Sequence, residues 1–145
     1  MQNIQNLIQL LQTAISPIVL ISGVGLLLLS LTNRMGRVID RSRYLVQEIE
    51  AGKDDHKKHV QIGILYRRSH ILRASITCIS ITILFASIMI LELFIGYFSH
   101  LDISNSFIAF FVLAVITLIL GILLFLVDIA VTLKALKLQV QEYIK

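Results

Sequence analysis

Residues 16–41 read SPIVLISGVGLLLLSLTNRMGRVIDR, an apolar run that passes straight into a basic one with no proline at the join. No Asp, Glu, Lys or Arg precedes Arg34, so the first 33 residues carry no ionisable side chain of those types. A hydrocarbon core about 30 Å thick needs about 20 apolar residues in a helix, and this run supplies them. Beyond it, Arg34, Arg37 and Arg41 recur at helical spacing, so the helix is expected to leave the bilayer without ending. Two further charge-free runs follow: 18 residues between Arg73 and Glu92, and 25 between Asp102 and Asp128. The expected fold is therefore all-α, an integral membrane protein with three transmembrane helices.

Composition agrees. Of 145 residues, 57% are hydrophobic and 15% charged, and the mean hydropathy is +0.85. Soluble domains run at about 45–50% apolar and about 25% charged, so a soluble globular enzyme is excluded on these grounds. The net charge of +4 matters less than its distribution. Ten of the 13 Lys and Arg residues lie between Arg34 and Arg73, the other three are Lys134, Lys137 and Lys145, and none lies before span one or between spans two and three. Basic residues mark the cytoplasmic side, which predicts the N-terminus outside and the C-terminus in the cytoplasm. No nucleic-acid partner is expected.

The segments follow in order. Residues 1–13 form an amphipathic stretch on the outer side, lacking the basic start of a cleaved signal peptide. Ser16-Pro17 either turns it into the bilayer or kinks a continuous first helix. Transmembrane helices are placed at 10–32, 74–98 and 107–131, with an outer loop at 99–106 and a cytoplasmic tail at 132–145. Residues 33–73 read as a cytoplasmic antiparallel helical hairpin that extends the first two spans. Met35, Val38, Ile39, Ser42, Leu45, Val46 and Ile49 make an apolar stripe with spacings of three and four. Ala51-Gly52 suits a helix C-terminus, and Asp54 and Asp55 suit the next N-cap. Gly63 weakens the second arm by up to about 1 kcal/mol against Ala.

Ser16, Gly23 and Ser30, with Arg37 beyond, repeat every seven residues and share a helix face. Small residues let helices approach closely in lipid; in a ring of subunits the same stripe would line a pore. Asn33, Arg34, Arg37 and Arg41 are the candidate anion or headgroup contacts, the plainer reading being arginines that fix topology and snorkel to the lipid surface. Asp40 partly neutralises them within the helix. Glu92 and Asp128 are the intramembrane acids, functional suspects because charge in a bilayer is costly. Glu92 is placed toward the outer face and Asp128 toward the inner one, so they make no catalytic pair. Thr117, Gly121 and Asp128 share a face of span three, and Asp128 is expected to pair with an arginine of the hairpin.

The remaining chemistry is sparse. His56 with His59, or Asp55 with His59, offers two metal ligands on one face but no third; with His70 they read as solvated polar residues. His100 and Asp102 read as turn and cap residues. Cys78 forms no internal disulfide and reads as a small core residue. There is no phosphate-binding glycine loop or nucleophile elbow, and Gly23-Val24-Gly25 follows no strand. No enzymatic activity, cofactor or metal is expected.

Ile15-Ser16-Pro17, then Ser22-Gly23-Val24-Gly25 with its leucines, then Thr32-Asn33-Arg34-Met35-Gly36-Arg37-Val38-Ile39-Asp40-Arg41 resemble a family of small bacterial membrane proteins catalogued as domain of unknown function 2721. The order of one span, a charged segment and two spans also matches. The resemblance implies a bacterial inner-membrane protein and transfers no catalytic residue. Its signature falls where span one meets the cytoplasmic helix, around Asn33, Arg34, Arg37, Asp40 and Arg41. The expected function is a non-enzymatic, homo-oligomeric scaffold or interaction protein acting through the hairpin, in a bilayer with anionic headgroups and with a cytoplasmic protein partner. The alternative is an oligomeric ion channel lined by helix 1, with an arginine-rich, anion-favouring vestibule.

Overall fold

The computed structural model describes residues 2–52, 56–99 and 104–143. They form three helices: α1, Gln2–Glu50; α2, His56–Ser99; and α3, Ser104–Tyr143. All three are long and apolar enough to cross a membrane. At 1.5 Å per residue the 49 residues of α1 extend about 74 Å and the 44 of α2 about 66 Å. Both exceed the hydrocarbon thickness about twofold, so their charged halves are continuous with the apolar halves. Pro17 lies inside α1, and residues 2–13 belong to the first helix rather than forming an element of their own. Proline removes one backbone donor, a loss that membrane helices accommodate by local adjustment. The tail is likewise helical to Tyr143.

Burial follows a seven-residue period. In α1 the buried positions include Pro17, Val24, Leu31, Val38 and Leu45; in α2, Leu72, Ser75, Ile79, Thr82, Ala86 and Met89; in α3, Ala114, Gly121 and Asp128. A period of 3.5 residues per turn, alternating steps of three and four as α2 does, is the signature of coiled-coil packing. The seam is narrow, and large apolar side chains such as Leu26, Ile119 and Leu126 stay exposed. A soluble monomer rarely shows so much contiguous apolar surface; lipid-facing helices do. The chain has the make-up of a multi-pass membrane protein.

The chain divides into two compact units, each drawing on all three helices. The first comprises Met1–Leu28 and Cys78–Ile119. Inside it Ala14, Val24, Ile79, Ala86, Met89 and Ala114 are buried. The hydroxyls of Thr82 and Thr117 meet at 2.9 Å, Phe85 packs against Phe110 with ring centroids 5.8 Å apart, and Ser106 donates to Glu92 Oε1.

The second unit comprises Leu29–Thr77 and Leu120–Lys145. Leu31, Val38, Leu45 and Leu72 form its apolar interior, and Ser75 Oγ donates to the Gly121 carbonyl at 2.7 Å. At the end of α1 the Ala51 N–H donates to the Gln47 carbonyl and the Gly52 N–H to the Ile49 carbonyl, each at 3.0 Å. Gly52 takes φ +82°, a left-handed conformation that glycine adopts without the Cβ penalty. This is the role expected of it from sequence. Lys58 Nζ lies 3.0 Å from Glu48 Oε2 across this turn. Asp54 and Asp55, the expected caps of α2, lie outside the described residues.

Candidate functional site

The second unit holds the densest polar arrangement. Asp128 is 0% exposed, and two guanidinium groups address it. Arg68 Nε donates to Asp128 Oδ1 at 3.2 Å. Arg34 Nη1 stands 3.7 Å from Oδ2, within ion-pair range but beyond hydrogen-bond distance, and Oδ2 has no hydrogen-bond partner. The Arg34 guanidinium lies over the Phe125 ring, 4.9 Å from its centroid, where the ring quadrupole attracts the cation. Each helix thus contributes one charge: Arg34 from α1, Arg68 from α2, Asp128 from α3.

The seven-residue register puts them together. Arg68 precedes the buried Ser75 by seven and Thr82 by fourteen; Asp128 follows the buried Gly121 by seven. Arg34 lies between Leu31 and Val38, three residues after one and four before the other, on the same seam. A carboxylate taken out of water costs several kcal/mol unless it is paired, and these positions pair it. Side-chain exposures of 17% for Arg68 and 34% for Arg34 rank the partners: the more buried, shorter contact carries more of the interaction.

The other expected site residues are placed apart from this cluster. Ser16, Gly23 and Ser30 are exposed on α1, and a Cβ added at Gly23 would meet nothing within 4 Å. The buried series is the one displaced by a single residue, Pro17, Val24 and Leu31, so the small-residue stripe takes no part in packing within the chain. Asn33, Arg37 and Arg41 are exposed, and Arg41 lies 5.4 Å over the Tyr44 ring. Of the four candidate anion contacts, Arg34 alone joins the cluster. Val38 and Leu45 of the apolar stripe are buried inside the unit, whereas Val46, Tyr44, Val60 and Tyr66 remain exposed.

The match to known proteins covers this cluster whole. A family model described as "Protein of unknown function (DUF2721)" matches residues 14–138, a range that includes Arg34, Arg68 and Asp128. The chain belongs to the DUF2721 family. No curated protein and no solved structure matches it.

In this DUF2721 chain the second intramembrane acid, Glu92, stands in a different setting. It is half-buried, accepts from Ser106 through Oε1, and keeps Oε2 buried without a hydrogen-bond partner. No basic side chain pairs with it among the described residues. His70 packs edge-on against Tyr66 at 4.7 Å. Among the described residues no group of three or more His, Cys, Asp or Glu converges as metal ligands would; the side chains of His56, His100 and Asp55 lie outside them. Arg68 carried no signal of its own in the sequence beside Arg67. The signal that separates them is the register of Arg68 with Ser75, Thr82 and Met89.

Proposed function

We propose that this chain is a non-enzymatic, homo-oligomeric protein of the bacterial inner membrane, with its N-terminus outside and C-terminus in the cytoplasm. In this reading α1 and α2 leave the bilayer as an antiparallel cytoplasmic hairpin that works as a scaffold or interaction module. The carrying observation is the Arg34–Asp128–Arg68 cluster, which ties both long helices to α3 at the base of their charged halves. A hairpin fixed at its base can transmit or resist force on a bound partner, which a loose loop cannot. The Glu48–Lys58 contact across the Gly52 turn and the clustering of basic residues in 34–73 support the hairpin and its side. Because Val38 and Leu45 are occupied internally, the exposed Tyr44, Val46, Val60 and Tyr66 are the better candidates for partner contact than the stripe itself.

Self-association is supported by the exposed Ser16, Gly23 and Ser30, where a second helix would meet no bulk. The test is the oligomeric mass by native mass spectrometry. Gly23→Leu should lower it without unfolding the chain, since the position is exposed and an added Cβ meets nothing within 4 Å. A wild-type monomer, or an oligomer indifferent to Gly23→Leu, refutes assembly through this face.

The exposure of the same stripe also favours the second reading, a channel in which several copies of α1 surround an aqueous path. Its vestibule would be Arg37 and Arg41, which are exposed, whereas Arg34 is half-buried beside Asp128. Ion flux in liposomes that is unchanged by Ser30→Leu and Arg37→Glu refutes it.

A further inference from the structure

We propose that Arg34 and Arg68, oriented by Asp128, form a binding site for a phosphate-bearing anion. Two guanidinium groups face one carboxylate, so the cluster keeps one positive charge. Each guanidinium carries five N–H donors in a fixed fork. Asp128 takes the Nε–H of Arg68 and only a long contact from one Nη of Arg34, which leaves both Nη groups of Arg68 and most of the Arg34 fork for another acceptor. A phosphate group suits this arrangement because its anionic oxygens accept bidentately from guanidinium forks. Asp128 holds the two forks in place before the anion arrives, which lowers the ordering cost of binding.

The location points to a lipid phosphodiester as the first source to test. Arg34 is the first charge after the charge-free start of the chain, Asp128 the first after its 25-residue run, and Arg68 lies six residues before the run that begins at Ala74. On all three helices the cluster therefore marks the edge of the apolar stretch, the level of lipid headgroups. The Phe125 ring, 4.9 Å from the Arg34 guanidinium, supplies apolar surface at the cluster itself. This inference is independent of oligomerisation and of any partner of the hairpin.

The test uses the delipidated full chain in a neutral detergent, with binding counted by native mass spectrometry and followed as a shift in Tm. The probes are phosphatidylglycerol, phosphatidylcholine and inorganic phosphate. Phosphatidylglycerol should bind, and Arg34→Gln should weaken it about tenfold, the loss expected for one charge-assisted contact. Arg43→Gln, an equal change of net charge at an exposed position, should leave it within about twofold. Arg34 is one-third exposed, so its variant is expected to fold; Arg68→Lys, which keeps the charge and loses the fork, gives an independent second variant. A response to inorganic phosphate alone supports the site with a soluble source. Binding of no probe, or equal losses in Arg34→Gln and Arg43→Gln, overturns the proposal.

Discussion

Replacing Arg68 by methionine removes the one hydrogen-bond donor that a fully buried carboxylate has among the described residues while keeping most of the side chain's length. Asp128 Oδ2 has no hydrogen bond to begin with, and after the change Oδ1 has none either. Breaking a buried pair in this way costs about 3–5 kcal/mol. Arg34 offsets little, because its contact is 3.7 Å long and its side chain one-third exposed, in the range where ion pairs contribute about 0–1 kcal/mol. Asp128→Leu leaves the opposite remainder: two arginines that are partly exposed and can turn to water or headgroups. Its expected cost is smaller, about 1–3 kcal/mol for the lost charge-assisted bond. Arg68→Met combined with Asp128→Leu removes the charge imbalance and should recover most of the loss, since apolar replacement of a buried pair is often neutral. Reversible unfolding in mixed micelles, titrated with a denaturing detergent and followed by circular dichroism, measures all three. If the double variant is no more stable than Arg68→Met alone, the carboxylate is not what makes the single change costly, and the reasoning fails.

Four further outcomes are expected. Gly52→Ala should cost about 1–2 kcal/mol, because its φ of +82° is a conformation that L side chains resist; the same micelle titration reads it. Gly63→Ala should do the reverse and stabilise by about 0.5–1 kcal/mol, since it sits inside α2 with nothing within 4 Å of an added Cβ. In the first unit Ile79→Ala should cost about 2–5 kcal/mol and Thr82→Val only about 0.6 kcal/mol, the average for interhelical hydrogen bonds in membranes; equal losses would show that the Thr82–Thr117 contact, not packing, holds the seam. Cysteine placed at the exposed Glu50 should react with an impermeant maleimide only from the cytoplasmic face, and at the exposed Asn105 only from outside; the reverse pattern would invert the proposed topology.

The three helices were legible because charge is the strongest signal in a chain bound for lipid, and its absence over 18 and 25 residues admits few other readings. The turn at Gly52 was legible for a similar reason: few residues tolerate that backbone conformation. The burial seam of α1 was harder. Ser16, Gly23 and Ser30 form a seven-residue series of small residues, yet the buried series lies one position on, at Pro17, Val24 and Leu31. In a span where every neighbour is apolar, hydrophobicity cannot tell the packed face from the lipid face, and smallness alone does not choose between them. Asp128 stood out as an acid next to a long apolar run, but its partner Arg68 did not stand out from Arg67. That choice depends on which face of α2 meets α3, which Ser75 and Thr82 record only once the seven-residue period is followed through them. At Pro17 the sequence leaves a turn and a continuous helix both open, and α1 runs on through it.

Chain order gives the three-charge cluster a meaning during synthesis. Arg34 and Arg68 are both made before Asp128, so the two cations are already in the membrane-associated chain when the last span leaves the ribosome. An unpaired acid is penalised in a bilayer, and Asp128 is the last of the three charges to be made. In the proposed topology, an orientation of the third span that brings Asp128 to the side of Arg34 and Arg68 would be favoured over one that carries it away from them. The contacts that join the three helices in the finished chain would then also favour the orientation in which its last helix inserts.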